Sequence, residues 1–271
     1  MEEHVSWLTH LVNHYLGGAA LALLGALGIQ PTHPDLPIPE HVVMSMMVVV
    51  IGIVLTLWLR TRLSVENPGG AQQVAELLMT NPMGFGIRDL LEENAGHRGR
   101  EFIPMVGSVS VFILLANLLS VFPAFTAPTA EKTVPLGCAI ITFLYFNWRG
   151  MRHHGAVGYL KHFAGPVWWL SWLMFPVEII STCARILSLT VRLWANIFAS
   201  DLLYVIFLGL LVDPVTWGWE KTPVLGVALG LFPAIIPIAF IGLHIFVAII
   251  QTYVFTLLPA IYIGMATAEE H

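Results

Sequence analysis

Long apolar runs dominate this chain, and the informative positions are the few polar residues that interrupt them. The run from Phe175 to Leu211 reads FPVEIISTCARILSLTVRLWANIFASDLLYVIFLGLL, with no Pro or Gly between Pro176 and Gly209 to stop a helix. At 1.5 Å per residue that helix is roughly 50 Å long, against roughly 30 Å of bilayer hydrocarbon. It cannot stand upright in a membrane, and its polar residues favour a strong tilt because they form a single stripe. Taking 100° per residue, Glu178, Ser181, Arg185, Ser188 and Asn196 all fall within about 40° of Arg192. Asp201 lies nine residues beyond Arg192 and points to the opposite face.

The same reading divides the rest of the chain. Residues 1–40 form an N-terminal segment in which 15–29 is a short, Gly-rich apolar stretch, expected as an interfacial or partly inserted helix. Pro31, Pro34, Pro37 and Pro39 then make a stiff linker. The segment lacks the basic start of a cleaved signal peptide and is expected to stay on the chain. Residues 41–60 make one bilayer crossing, closed by Arg60 and Arg62. Those arginines mark its cytoplasmic end, which places the N-terminus outside.

Residues 66–98 mix Gln72, Gln73, Glu76, Arg88, Asp89, Glu92 and Glu93 with Leu77, Leu78, Leu90 and Leu91. This predicts an amphipathic cytoplasmic segment lying on the membrane surface, interrupted near Asn81-Pro82. Residues 102–148 form a transmembrane hairpin, with crossings at 102–122 and 134–148 and Asn117 as the strongly polar side chain within the first. The loop 149–166, with Arg149, Arg152 and Lys161, is expected in the cytoplasm. The long helix, 171–211, runs outward, a turn from Asp213-Pro214 to Pro223 reverses the chain, and 223–265 returns. Its cleaner part, Ile238 to Leu258, carries His244 and Gln251 on one face. The tail ends in the cytoplasm. The fold class is therefore an all-α polytopic membrane protein: upright transmembrane helices, an amphipathic surface helix and a long, strongly tilted antiparallel helical hairpin at the C-terminus.

Composition agrees with that architecture. Hydrophobic residues make up 57% of the 271 and charged residues 11%, which excludes a soluble globular chain. A net charge of −5, scattered along the sequence, argues against nucleic acid as a partner. Cys138 and Cys183 sit in separate apolar stretches and read as packing residues. His10 and His14 share a helix face but have no third ligand, and read as interfacial histidines; no metal or cofactor site is expected. The chain has no P-loop, HExxH or CxxC motif, so it is not expected to bind or hydrolyse nucleotide itself.

The chemistry is carried by charge inside the membrane. An ionisable group there costs several kcal/mol and marks a functional site by default. Arg192 lies in a mostly apolar stretch whose next charged residue toward the C-terminus is Asp201, nine positions on, and its guanidinium stays protonated where a buried lysine can lose its proton. Carboxylates and histidine on the flanks can relay protons because their pKa values can be moved toward neutrality. Register adds pairings. In an antiparallel hairpin turning near residue 220, Gln251 falls beside Arg192 and His244 beside Asp201.

The pattern Glu178-x-x-Ser181-x-x-x-Arg185, then Ser188-Leu-Thr-Val-Arg192-Leu-Trp-Ala-Asn196 and Asp201, resembles the signature helix of subunit a of F-type ATP synthases. The resemblance extends to His244 and Gln251, to Arg88-Asp-Leu-Leu-Glu-Glu-Asn94 and to Asn117-Leu-Leu, and covers residues 70 to 271. It implies a non-ATPase subunit of a bacterial inner-membrane ATP synthase, partnered by a c-subunit ring, peripheral-stalk b subunits and lipid. It also implies two offset half-channels separated by Arg192, which faces the ring carboxylates. Asp201, Asn196 and His244 then lie toward the outside and Glu178 and Ser181 toward the cytoplasm, with Arg185, Ser188 and Gln251 also on the proton path. Asn117 reads either as a helix–helix hydrogen bond or as lining a water path, and the resemblance favours the path. Many relatives carry a carboxylate where this chain has Ser120, so any duty of that carboxylate is in question here.

Two other classes fit less well. A haem- or quinone-binding respiratory subunit needs paired histidines at mid-membrane, and only His244 is placed for that. A stand-alone ion antiporter needs internally repeated halves with paired broken helices, which the sequence does not display.

Overall fold

A computed structural model describes residues 6–28, 35–81, 84–122, 125–155, 171–222 and 235–267, and these are helical with no strand among them. Helix α1 (Trp7–Ala26) is followed by α2 (Glu40–Thr61), α3 (Gly70–Met79), α4 (Ile87–Ala95) and a 3-10 turn at Gly96–Phe102. Then come α5 (Ile103–Leu119), a short 3-10 turn at Pro128–Ala130, α6 (Thr133–His154), α7 (Ser171–Lys221) and α8 (Ile235–Thr267). Among the described residues, four helical spans are long and apolar enough to cross a membrane: Glu40–Thr61, Gly99–Leu119, Ser171–Lys221 and Ile238–Met265. The protein is a multi-span membrane protein.

Several boundaries differ from the sequence expectation. Helix α1 begins at Trp7, well before residue 15, because Ser6 caps it and accepts from the Thr9 amide at 3.3 Å. The third crossing, expected at 134–148, continues as α6 to His154 and so takes in the start of the supposed loop. Nothing breaks the helix before Gly155, whose φ of 73° requires glycine, and Arg152 can extend because its guanidinium lies 5.5 Å from the Trp148 ring. Helix α6 is not among the four spans with the length and hydropathy of a crossing.

Helix α7 runs straight through Asp213-Pro214, where a turn was expected. Pro214 removes the one amide donor that would reach the carbonyl four residues back, and the helix continues past it, with Thr216 Oγ1 3.0 and 2.9 Å from the carbonyls of Val212 and Asp213. At 51 residues, α7 is roughly 77 Å long. Helix α8 contains Pro259 and extends to Thr267, beyond the expected Leu258. The segment 66–98 holds two short helices, α3 ending at Met79 and α4 starting at Ile87, on either side of the interruption expected near Asn81-Pro82. Pro31, Pro34, Pro82, Lys161, most of the loop 149–166, the start of the returning segment and the last residues of the tail lie outside the described residues.

The chain divides into two compact units. The first comprises Met1–Gly52, Leu115–Val134 and Asn196–Ala248. Here α1 is fastened to the Pro-rich linker: Asn13 donates to the Ile38 carbonyl at 3.0 Å and accepts from the Ile38 amide at 2.9 Å. Gly17 faces Pro37, whose ring lies at van der Waals distance, 3.4 Å, from where a Cβ would stand.

The second unit comprises Ile53–Leu114, Pro135–Ala195 and Ile249–His271. Its core joins Ile87 and Leu91 of α4, Val106 of α5, Phe146 of α6, and Ala260 and Ile263 of α8 around Phe102. Hydroxyls inside the spans are satisfied locally, as with Thr182 and Thr190 on the carbonyls of Glu178 and Ile186. Ser110 and Thr256 also join α5 to α8 through a 2.6 Å contact between their hydroxyls.

Candidate functional site

The unbroken helix α7 gives the polar stripe a physical form. Leu189, Leu193 and Ile197 are buried on one side, whereas Arg192, Ser188 and Asn196 are exposed. Arg192 Nη2 donates to Ser188 Oγ at 3.4 Å, one turn back on its own helix. An exposed charge between apolar residues is costly in lipid unless another molecule meets it.

Further toward the N-terminus of α7 the stripe is partly covered. Arg185 Nη2 lies 3.7 Å from Glu178 Oε1, and the guanidinium carbon lies 5.0 Å from the centre of the Tyr262 ring on α8. Ser181 is partly buried on the same face. Gln251 is 1% exposed on α8.

The second group of polar residues is built around His244, which is buried in the first unit. Ser200 Oγ lies 2.6 Å from His244 Nδ1, and Ser120 Oγ lies 2.8 Å from Nε2. Nε2 is also 3.1 Å from the main-chain carbonyl of Asn117. Asn117 itself is fully buried; its Oδ1 accepts from Thr129 Oγ1 at 2.6 Å, and its amide nitrogen has no hydrogen-bond partner among the described residues. Beside the histidine a cavity of about 40 Å³, room for a water or two, is lined by Ser120, Ser200, Asp201, Phe240, Ile241 and His244. Asp201 and His244 thus share one small polar space.

Sequence reasoning named Asp201, His244 and Asn117 but not the groups that bond them. Ser200 could have been found as a hydroxyl next to Asp201 in an apolar run. Thr129 and Tyr262 carry no such signal, since a loop threonine and a tyrosine in an apolar helix are ordinary. Two further contacts in the first unit link α7 to α8: Ser200 meets His244, and the Phe207 and Phe240 rings stack.

Apolar helices of membrane-crossing length, one bearing an exposed arginine and another a buried histidine beside a carboxylate, define an integral membrane protein equipped to handle charge within the bilayer. The profile of the family described as ATP synthase A chain matches residues 42–264. Over 268 residues the chain is 39% identical to ATP synthase subunit a of Koribacter versatilis (strain Ellin345), covering 99% of both chains. It is 40% identical over 261 residues to ATP synthase subunit a of Solibacter usitatus (strain Ellin6076), covering 96% of this chain and 100% of the relative. A third relative, ATP synthase subunit a 1 of Syntrophotalea carbinolica (strain DSM 2380 / NBRC 103641 / GraBd1), is 34% identical over 265 residues, 98% of this chain and 97% of its own. The protein belongs to the ATP synthase subunit a family.

Proposed function

We propose that this chain is the proton-translocating stator subunit of an F-type ATP synthase, a component without a nucleotide site of its own that couples ion flow to ATP synthesis. The observation that carries the reading is Arg192, exposed on an apolar helix and donating to Ser188 of that same helix. A rotating ring of c subunits, each bearing one carboxylate, is the partner whose chemistry suits that charge. A neutral carboxyl can face lipid, but an ionised one needs a countercharge. Arg192 supplies it and blocks direct proton passage between two offset half-channels.

In this reading protons enter from outside through Asp201, His244, Asn117 and Asn196, load a ring carboxylate, and leave after nearly a full rotation past Ser188, Arg185, Ser181 and Glu178. Gln251 helps hold Arg192. The matched pairs along α7 and α8 support an antiparallel hairpin, and the length of α7 supports a strong tilt. Helices α3 and α4 form the amphipathic cytoplasmic segment, with Ile87, Leu90 and Leu91 as the buried side of α4. The N-terminus lies outside and the C-terminus in the cytoplasm of a bacterial inner membrane, with b subunits of the peripheral stalk as further partners.

The test is ATP-driven quenching of a pH dye by inverted vesicles carrying the complete enzyme. Arg192→Ala abolishes pumping, and Arg192→Lys nearly so, because a point charge able to deprotonate does not replace a planar, permanently charged group. Pumping by the lysine variant at near wild-type rate would overturn the assignment.

A further inference from the structure

His244 is held at both ring nitrogens, and the partners together select one tautomer. The Asn117 carbonyl 3.1 Å from Nε2 can only accept, so Nε2 carries a hydrogen. Ser120 donates its own hydroxyl hydrogen to that same carbonyl at 3.1 Å, which leaves its lone pairs turned to Nε2–H at 2.8 Å. In the neutral ring Nδ1 is then an acceptor, and the Ser200 hydroxyl at 2.6 Å must donate to it. One arrangement of hydrogens satisfies all four contacts. The opposite tautomer leaves the buried Asn117 carbonyl facing a lone pair.

We propose that Ser200 is a positioning residue for His244: it fixes the ring plane and the Nε2–H tautomer, so that Nδ1 is the nitrogen that takes up and returns a proton on the cavity side. The inference rests on the reading that His244 lies on the proton path. The Ser200 hydroxyl first turns its hydrogen toward the cavity and frees the Nδ1 lone pair. A proton arriving from the Asp201 carboxyl, directly or through water in the shared cavity, then bonds to Nδ1 and leaves Asp201 as carboxylate. The ring becomes an imidazolium. Ser200, its hydrogen still on the hydroxyl, now accepts from Nδ1–H, and loss of the Nδ1 proton reverses both changes. A serine does this because its hydroxyl both donates and accepts and rotates freely. Among the described residues that bond the ring or line the cavity, Asp201 is the titratable neighbour; Asn117 and Ser120 carry no charge.

The experiment compares His244→Ala, Ser200→Ala and Ser200→Thr in inverted vesicles holding the assembled enzyme, with initial rates of ATP-driven pumping recorded across pH. His244→Ala is expected to lose most pumping. Ser200→Ala should lose on the order of tenfold, the scale of a lost orienting hydrogen bond to a functional histidine, with an altered pH profile. Ser200→Thr, which keeps the hydroxyl, should stay within about twofold of wild type with the wild-type profile. If His244→Ala pumps normally, the proton-path reading falls and takes this inference with it. Should His244→Ala fail while Ser200→Ala keeps the wild-type pH profile, or Ser200→Thr lose as much as Ser200→Ala, the positioning role alone is overturned.

Discussion

The Tyr262 ring of α8 lies against the Arg185 guanidinium of α7, with the charge 5.0 Å from the ring centre. Glu178 approaches the same guanidinium at 3.7 Å. An arginine near both an aromatic ring and a carboxylate has a defined direction, which a lone arginine in a water-filled path lacks. A contact of this kind contributes about 0.5 to 2 kcal/mol. Tyr262→Phe keeps the ring face and should leave ATP-driven pumping within about twofold of wild type, whereas Tyr262→Leu should slow it several-fold. Equal rates for the two variants would show that the ring does not place the arginine.

Gly264 of α8 sits directly on the main-chain carbonyl of Asn94, so a Cβ there would collide with backbone that has no flexible end to move. Asn94 is tied down in turn, because its side chain donates to the Leu90 carbonyl at 2.8 Å. Gly264→Ala should therefore push α8 off α4 and destabilise this unit by about 1 to 3 kcal/mol, the usual scale of forced overpacking. Thermal denaturation of the purified complex, followed by loss of this subunit, checks it. An unchanged midpoint would show that the two backbones are not in close approach.

Thr129 donates to Asn117 Oδ1 at 2.6 Å, and neither residue has measurable exposure. Thr129→Val keeps the shape and leaves the amide oxygen buried without that donor, at a cost of about 1 to 3 kcal/mol. Since the Asn117 carbonyl also meets His244, the loss should reach the histidine: pumping falls while ATP hydrolysis by the complex continues. Thr129→Ser, which restores the hydroxyl, should recover the stability.

Glu92 accepts from Arg88 at 2.8 Å and from Arg100 at 2.7 Å, bridging α4 to the turn that follows it. Hydrogen bonds from Arg88 and then Arg100 hold its carboxyl below the ordinary carboxylate range. A carboxyl with a lowered folded-state pKa stabilises the fold above its unfolded pKa, and that contribution is lost as pH falls through the folded value. Protection of the α4 amides, taken relative to their intrinsic exchange rates, should not depend on this group near neutrality and should fall as acidification protonates Glu92. Glu92→Gln should remove the acid-dependent step. A step of the same size in the glutamine variant would assign it to another group.

How much of this protein its sequence determined follows from the range of the forces involved. Helix positions and the membrane class come from local hydropathy, which needs no partner, and the stripe through Arg192 follows from helical period once no breaker intervenes. The helix ends were less legible. Asp213-Pro214 reads as a turn in one dimension, yet the Thr216 hydroxyl bonds to two carbonyls and the helix continues.

Contacts between distant segments were accessible only where symmetry of register supplied them. Counting along an expected antiparallel hairpin sets His244 opposite Asp201, and the two line one small cavity. Counting cannot show that Ser200 rather than Asp201 bonds the ring, because that depends on helix rotation and the packing of neighbouring side chains. Nor can it bring Thr129, in a loop, onto Asn117, or Tyr262 onto Arg185. The sequence determined which charges are present in the membrane and in what order along each helix. Tertiary structure alone decided which of them are clamped and by what, since a hydrogen bond depends on tenths of an ångström that only the packed chain sets.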